Sequence, residues 1–110
     1  MVAATQITVL YPNESDLDFN MDYYLTTYMP MVAQELTPFN FHGYSVLKLG
    51  AAPDGKPSPY AVQATLYFDS PDDFKRALET SYAKITADVP KFSKHSAMWM
   101  VGEEVAWDVK

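Results

Sequence analysis

The 110-residue chain has no cysteine. That excludes disulfides, thiolate nucleophiles, iron–sulfur clusters and cysteine-based zinc sites. Only two histidines are present, His42 and His95. With no HExxH pattern and no close carboxylate triad beside them, no metal site is expected. No apolar run approaches the roughly 20 residues of a membrane-spanning helix, and no charged start precedes an apolar block of the secretory kind. The expectation is a cytoplasmic protein without membrane contact. Basic side chains are the scarcer charge, 8 Lys and Arg against 14 Asp and Glu, and the formal net charge of −6 argues against nucleic acid as a partner. Neither a GxSxG elbow nor a glycine-rich phosphate loop occurs, so serine hydrolysis and phosphate cradling have no sequence support.

Aromatic and aliphatic side chains are abundant instead. Hydrophobic residues make up 48% of the chain and aromatics 15%, with 8 tyrosines. A chain of this length and composition forms a single globular domain over residues 1–110 with its own core. No internal repeat or low-complexity segment interrupts it.

The order of elements follows from periodicity and punctuation. Thr5 to Tyr11 alternates and is β-branched, a first strand ending at Pro12. Residues 13–18 are a polar loop, and Asn20 is placed to cap a helix with Asp22 in its first turn. Met21, Leu25, Tyr28, Val32 and Leu36 recur at helical spacing as its inner face. Pro30 removes one backbone bond, so a kink or local opening is expected near Thr26, and Thr37-Pro38 ends the helix. Phe41 to Leu49 reads as a second strand, 50–59 as a hairpin loop, and Tyr60 to Phe68 as a third, central strand. Ser70-Pro71-Asp72-Asp73 is a helix start, followed by the stripe Phe74, Leu78, Tyr82 (or Ser81), Ile85 and Val89, closed by Pro90. His95 to Val105 completes a fourth strand, with an exposed tail or edge extension after it. The pattern is βαββαβ: a ferredoxin-like α+β fold with two helices on one face of a four-stranded antiparallel sheet. The strands are apolar on both alternations, and an uncovered apolar face is resolved by packing two sheets together. A homodimer is therefore expected.

The stretch Met21-Asp-Tyr-Tyr-Leu-Thr-Thr-Tyr-Met-Pro-Met-Val32 carries the functional signal. A buried phenol must find a hydrogen-bond partner, so tyrosines on an inner helix face are either core residues with a backbone partner or the wall of a ligand cavity. Tyr28 lies on that face, Tyr24 one turn earlier on the neighbouring face, and Tyr11 at the end of the first strand. Tyr23 is expected to point to solvent or an interface. His42 and His95, each at a strand start, are the side chains that titrate near neutral pH. They read as solvated or capped residues first and as catalysts second. Gln63 and Thr65 are polar positions in the third strand that need internal or ligand partners if helices cover them. Trp99, between Met98 and Met100, reads as core or dimer packing first and as a ligand contact second. Adjacent Glu103 and Glu104 point to opposite faces and are no carboxylate pair.

Several segments together resemble the EthD family of the dimeric α+β barrel superfamily: Val9-Leu-Tyr-Pro12, Met21-Asp-Tyr-Tyr-Leu25 with Met29-Pro30-Met31-Val32, Pro59-Tyr60, Leu66-Tyr-Phe-Asp-Ser70, Ala87-Asp-Val-Pro90 and Glu103-Glu-Val105. The resemblance implies a cofactor-independent protein with a ligand cavity between helices and sheet and a paired barrel at a dimer interface. Related barrels include monooxygenases, decarboxylases, lactone isomerases and cyclases. The family commonly places histidine directly before the Met-Pro of the first helix, where this chain has Tyr28. An ordinary phenol titrates near ~10, so acid–base chemistry assigned to that histidine does not transfer to Tyr28. Tyr28 could instead polarise a carbonyl, or act as a base if its pKa were lowered.

Three functions follow as expectations. The first is a cofactor-free enzyme for a small aromatic, quinonoid or lactone-type metabolite, with Tyr28 polarising a carbonyl and a histidine or water moving the proton. Dehydration, decarboxylation, isomerisation or cyclisation fits, and oxygenation less well. The second is a non-catalytic binding protein for a hydrophobic metabolite. The third is a structural homodimer whose cavity is filled by its own side chains.

Overall fold

The computed structural model describes residues 4–108. Its four strands are β1 (Thr5–Pro12), β2 (Phe41–Lys48), β3 (Tyr60–Phe68) and β4 (Met98–Glu103). They form one antiparallel sheet in the order β2-β3-β1-β4, so β3 and β1 are central, as the continuous apolar character of β3 predicts. The second helix, Pro71–Ala87, begins as its sequence requires: the Ser70 side chain accepts a hydrogen bond from the Asp73 amide, and Pro71 occupies the first turn. The core lies between the helices and one sheet face. Ile7, Val9, Val62, Ala64, Leu66 and Phe68 meet Tyr28, Val32 and Leu36 of the first helix and Phe74, Ala77 and Ile85 of the second.

The first helix departs from a regular 3.6-residue pattern. An α-helical turn at Met21–Tyr23, capped by Asn20, leads into a π-helical turn at Tyr24–Tyr28, and α-helix resumes over Met29–Leu36. Pro30 has no amide proton for the Thr26 carbonyl, and the Met29 amide reaches back to the Tyr24 carbonyl, the five-residue spacing of a π turn. The opening expected near Thr26 is thus a π turn. Its extra residue shifts the inward face upstream by one position, so Tyr24 is buried and Leu25, expected on the inner stripe, is 44% exposed. Helical backbone also runs past Thr37-Pro38 as a 3-10 turn, Thr37–Phe39, and stops at Asn40 in the left-handed region with φ 55°.

Further boundaries differ from the sequence pattern. On the second helix Ser81 is buried and Tyr82 is exposed, which resolves the alternative in favour of the smaller residue. β2 ends at Lys48 rather than Leu49. β4 starts at Met98, not at His95. The Ser93 hydroxyl donates to the His95 carbonyl at 2.7 Å and accepts from the His95 amide at 3.2 Å, so a local turn occupies groups a strand would use. β4 also ends at Glu103 rather than Val105, so Val105 is exposed beyond the strand, and Trp107 is exposed as expected of a tail. The part of that tail at 109–110 lies outside the described residues.

Phe92 is the hub of an aromatic cluster. It is 1% exposed, and its ring centroid lies 4.5 Å from Tyr28, 4.9 Å from Tyr24 and 5.8 Å from Tyr11. Phe92→Ala should lower the unfolding free energy by about 3–5 kcal/mol. Urea denaturation checks this: the midpoint should fall sharply with the slope unchanged.

Candidate functional site

The buried tyrosines form a stack whose hydroxyls are committed. Tyr24 and Tyr28 lie ring on ring, 5.5 Å apart at 21°. The Tyr28 hydroxyl donates to the Ile85 carbonyl at 2.8 Å and ties the π turn to the end of the second helix. Tyr11 meets Tyr24 edge-on at 5.9 Å, and their phenols interact. Burial, first among the causes, pushes all three phenols above their ordinary range. None of the three is a base near neutral pH; each is a neutral donor. Tyr23, expected at solvent or an interface, is instead partly buried, and its hydroxyl donates to Asp88 at 2.7 Å. Lys91 holds the other oxygen of Asp88 at 3.0 Å.

Beside this stack runs a groove of about 380 Å³ between the second helix and the start of β4. Its floor and walls are the rings of Tyr11, Phe74 and Trp99 with Leu78 and Val89; Tyr82, Thr86 and Ser96 supply hydroxyls. The groove exists because β4 is an edge strand that the helix covers only at its start. Trp99 stacks on Phe74 at 5.8 Å and 25°, whereas Val101, on the same side two residues later, is 55% exposed. No histidine, carboxylate or amine lines the groove.

The sequence-selected residues divide accordingly. Tyr11 and Trp99 line the groove; Tyr24 and Tyr28 border only a small void behind it. Gln63 falls on the opposite face of the sheet: on β3 the core side is Val62, Ala64, Leu66 and Phe68, and Gln63 pairs in register with Leu10 and Leu47. It does not reach a cavity between helices and sheet. His42 is the extra residue of a bulge, since Phe41 pairs with Phe68 and Gly43 with Tyr67; it is exposed and paired with Asp69. His95 binds Asp16 at 2.7 Å near the surface. Neither histidine lines the groove, although His95 adjoins Ser96, which does. Among the described residues no three His, Cys, Asp or Glu side chains are grouped to hold a metal ion, and no helix is long and apolar enough to cross a membrane.

The family model described as the EthD domain matches residues 12–96, most of the chain; of the groove residues only Tyr11, Ala97 and Trp99 lie outside the match. The chain belongs to the EthD family. Among solved structures it is similar to an EthD-like protein from Ralstonia eutropha, with a TM-score of 0.85, 24% identity and 96% of each chain covered. An ethyl tert-butyl ether D (EthD) family protein from Bacillus halodurans gives a TM-score of 0.70 at 20% identity, covering 93% of this chain and 99% of that one. SnoaB from Streptomyces nogalater, described as a cofactor-independent oxygenase, gives 0.60 at 11% identity over 97% of both chains. At these identities the likeness carries the fold. No curated protein matches the chain.

Within this EthD chain, the position where the family resemblance places a histidine holds a phenol whose proton is given to a backbone carbonyl. Apart from Tyr11 and Trp99, the apolar residues that make the groove were legible only as core. Phe74, Leu78 and Val89 appear in sequence as a helix stripe, and nothing there says that part of the stripe faces a gap. Tyr82 offered one signal: its large ring competed with Ser81 for the stripe and lost, which puts a phenol on the flank.

Two outcomes are expected. Tyr28→Phe should cost about 1–3 kcal/mol through loss of a buried hydrogen bond, measured by denaturation. The raised phenols also set an alkaline limit. The folded state holds these protons more tightly than the unfolded state, so the stability they contribute is complete below about pH 10 and is lost as pH rises beyond it. Tyrosinate absorbance in an alkaline titration should show these three phenols ionising only together with unfolding.

Proposed function

We propose that the chain takes a small, flat, largely apolar metabolite (an aromatic, quinonoid or lactone-type compound) into the groove and acts on it without a cofactor. The observation that carries this reading is the lining: ring faces of Trp99, Phe74 and Tyr11 beside the hydroxyls of Tyr82 and Ser96, with no ionisable acid or base other than phenols. Ring faces stack on a planar ligand, and hydroxyls meet its carbonyl edge. A neutral hydroxyl donor at that edge stabilises negative charge developing on a carbonyl oxygen. Dehydration, isomerisation, decarboxylation or cyclisation of an enolisable substrate is served by such polarisation, with water or the substrate's own groups carrying the proton. The description of SnoaB as a cofactor-independent oxygenase adds dioxygen chemistry on an electron-rich phenol to that range.

A second reading, non-catalytic binding of the same class of compound, is favoured by one specific observation: no histidine or carboxylate borders the groove. We further propose that two copies pair through the open sheet face. There Leu47, Met98 and Met100 are 52%, 49% and 45% exposed around the polar centre of Thr8, Gln63 and Thr65. Such a face is covered by a second copy in a C2 sandwich.

Mass-spectrometric product analysis with a panel of hydroxylated aromatics, quinones and unsaturated lactones tests the first reading, with thermal shift read on the same samples. A new product mass that disappears in a variant with the groove filled, Leu78→Trp, supports turnover at this site. Stabilisation without any product supports the carrier, and neither response sinks both. Met100→Lys should convert a dimer to monomer in sedimentation velocity; a wild-type monomer, or a variant that stays dimeric, removes the pairing proposal.

A further inference from the structure

Behind the groove lies a second space, an apolar void of about 20 Å³ bordered by Tyr28, Met29 and Val32. Only Tyr11 and Trp99 border both spaces. A cavity of roughly 150 Å³ is needed for one benzene, so the void holds no ring, while the groove holds about two.

The two shared residues are held very differently. Tyr11 is 2% exposed and gripped edge-on by Phe19 at 5.0 Å, Tyr24 at 5.9 Å and Phe92 at 5.8 Å. Trp99 is half-buried and has one ring neighbour, Phe74 at 5.8 Å. Its strand is paired with β1 only and begins one residue before it. One wall is clamped from several sides; the other is a single large ring on an edge strand.

We infer that the Trp99 indole is a movable partition between groove and void, and that it sets how deep a flat ligand enters. This rests on the groove reading above. With the indole closed, a one- or two-ring compound fills the groove. A linear fused three-ring aromatic or quinone displaces the indole, and its terminal ring takes the volume the indole vacates together with the void, against Tyr28, Met29 and Val32. The substrate class that uses the whole space is therefore the fused three-ring one, and Trp99 is its size-selecting residue.

The test compares 1-hydroxynaphthalene with 1-hydroxyanthraquinone by calorimetric titration of wild type, Trp99→Ala and Trp99→Phe, with circular dichroism confirming the fold. Removing the partition should raise the preference for the three-ring compound about tenfold in Trp99→Ala, a change equivalent to ~1.4 kcal/mol, and by less in Trp99→Phe. A second readout needs no ligand. Met29 is 2% exposed and borders the void, whereas Met21 on the same helix is partly exposed and lines neither space. Peroxide oxidation of Met29, read by mass spectrometry against Met21, should accelerate several-fold in Trp99→Ala. Unchanged Met29 oxidation overturns the partition whatever the ligands do. Faster oxidation with an unchanged ligand preference overturns size selection. If wild type binds neither compound, the groove reading fails, and Met29 alone then decides whether Trp99 separates the two spaces.

Discussion

The missing amide proton of Pro30 is the constraint on which the rest depends. A regular helix would present Leu25 and Tyr28 to the sheet; the π turn presents Tyr24 and Tyr28, four residues apart and stacked. Those two rings with Tyr11 and Phe92 fill the end of the core, and the Tyr28 hydroxyl fastens the turn to the second helix through Ile85. An unmade backbone bond is thus compensated by a side-chain bond between the two helices. The Tyr23–Asp88–Lys91 cluster repeats the tie at the helix end, and Asp88 is held below the usual carboxylate range, first by the Tyr23 hydrogen bond.

The electrostatics follow a simple division. Ionised groups are paired away from the groove: the buried Asp73 collects Ser70, Asn40 and Arg76 at the start of the second helix, Glu35 pairs with Lys84, and each histidine has an aspartate. The interior holds the phenols of Tyr11, Tyr24 and Tyr28, whose pKa burial raises, so they keep their protons. The groove beside them is lined by rings and hydroxyls, with no histidine, carboxylate or amine.

Much of the architecture could be read from local signals because each had a local physical cause. Ser70-Pro71 starts the second helix where the sequence places it, Asn20 caps the first, and Tyr60–Phe68 is the central strand with the expected limits. The errors arose where the regular backbone pairing is interrupted, by a capturing side chain or by a proline. Ser93 captures the backbone of His95 and delays β4, and the π turn moves the inner face by one residue. The site was less legible still. Tyr11 at the end of the first strand and Trp99 in the last strand both line the groove, whereas Gln63, a ligand contact only if helices covered its face, lies on the other face, because alternation alone does not say which face the helices cover.

What the chain determines by itself is the order and chemistry of its parts: βαββαβ, no thiol, few histidines, and tyrosines clustered before a proline. These depend on residue identity and on neighbours within one or two turns. The tertiary structure alone decides that Tyr28 gives its proton to Ile85, that both histidines turn to surface aspartates, and that a groove opens between the second helix and β4. Those outcomes depend on distances between segments remote in sequence. Such distances are set by how the whole core packs, and no local pattern encodes them.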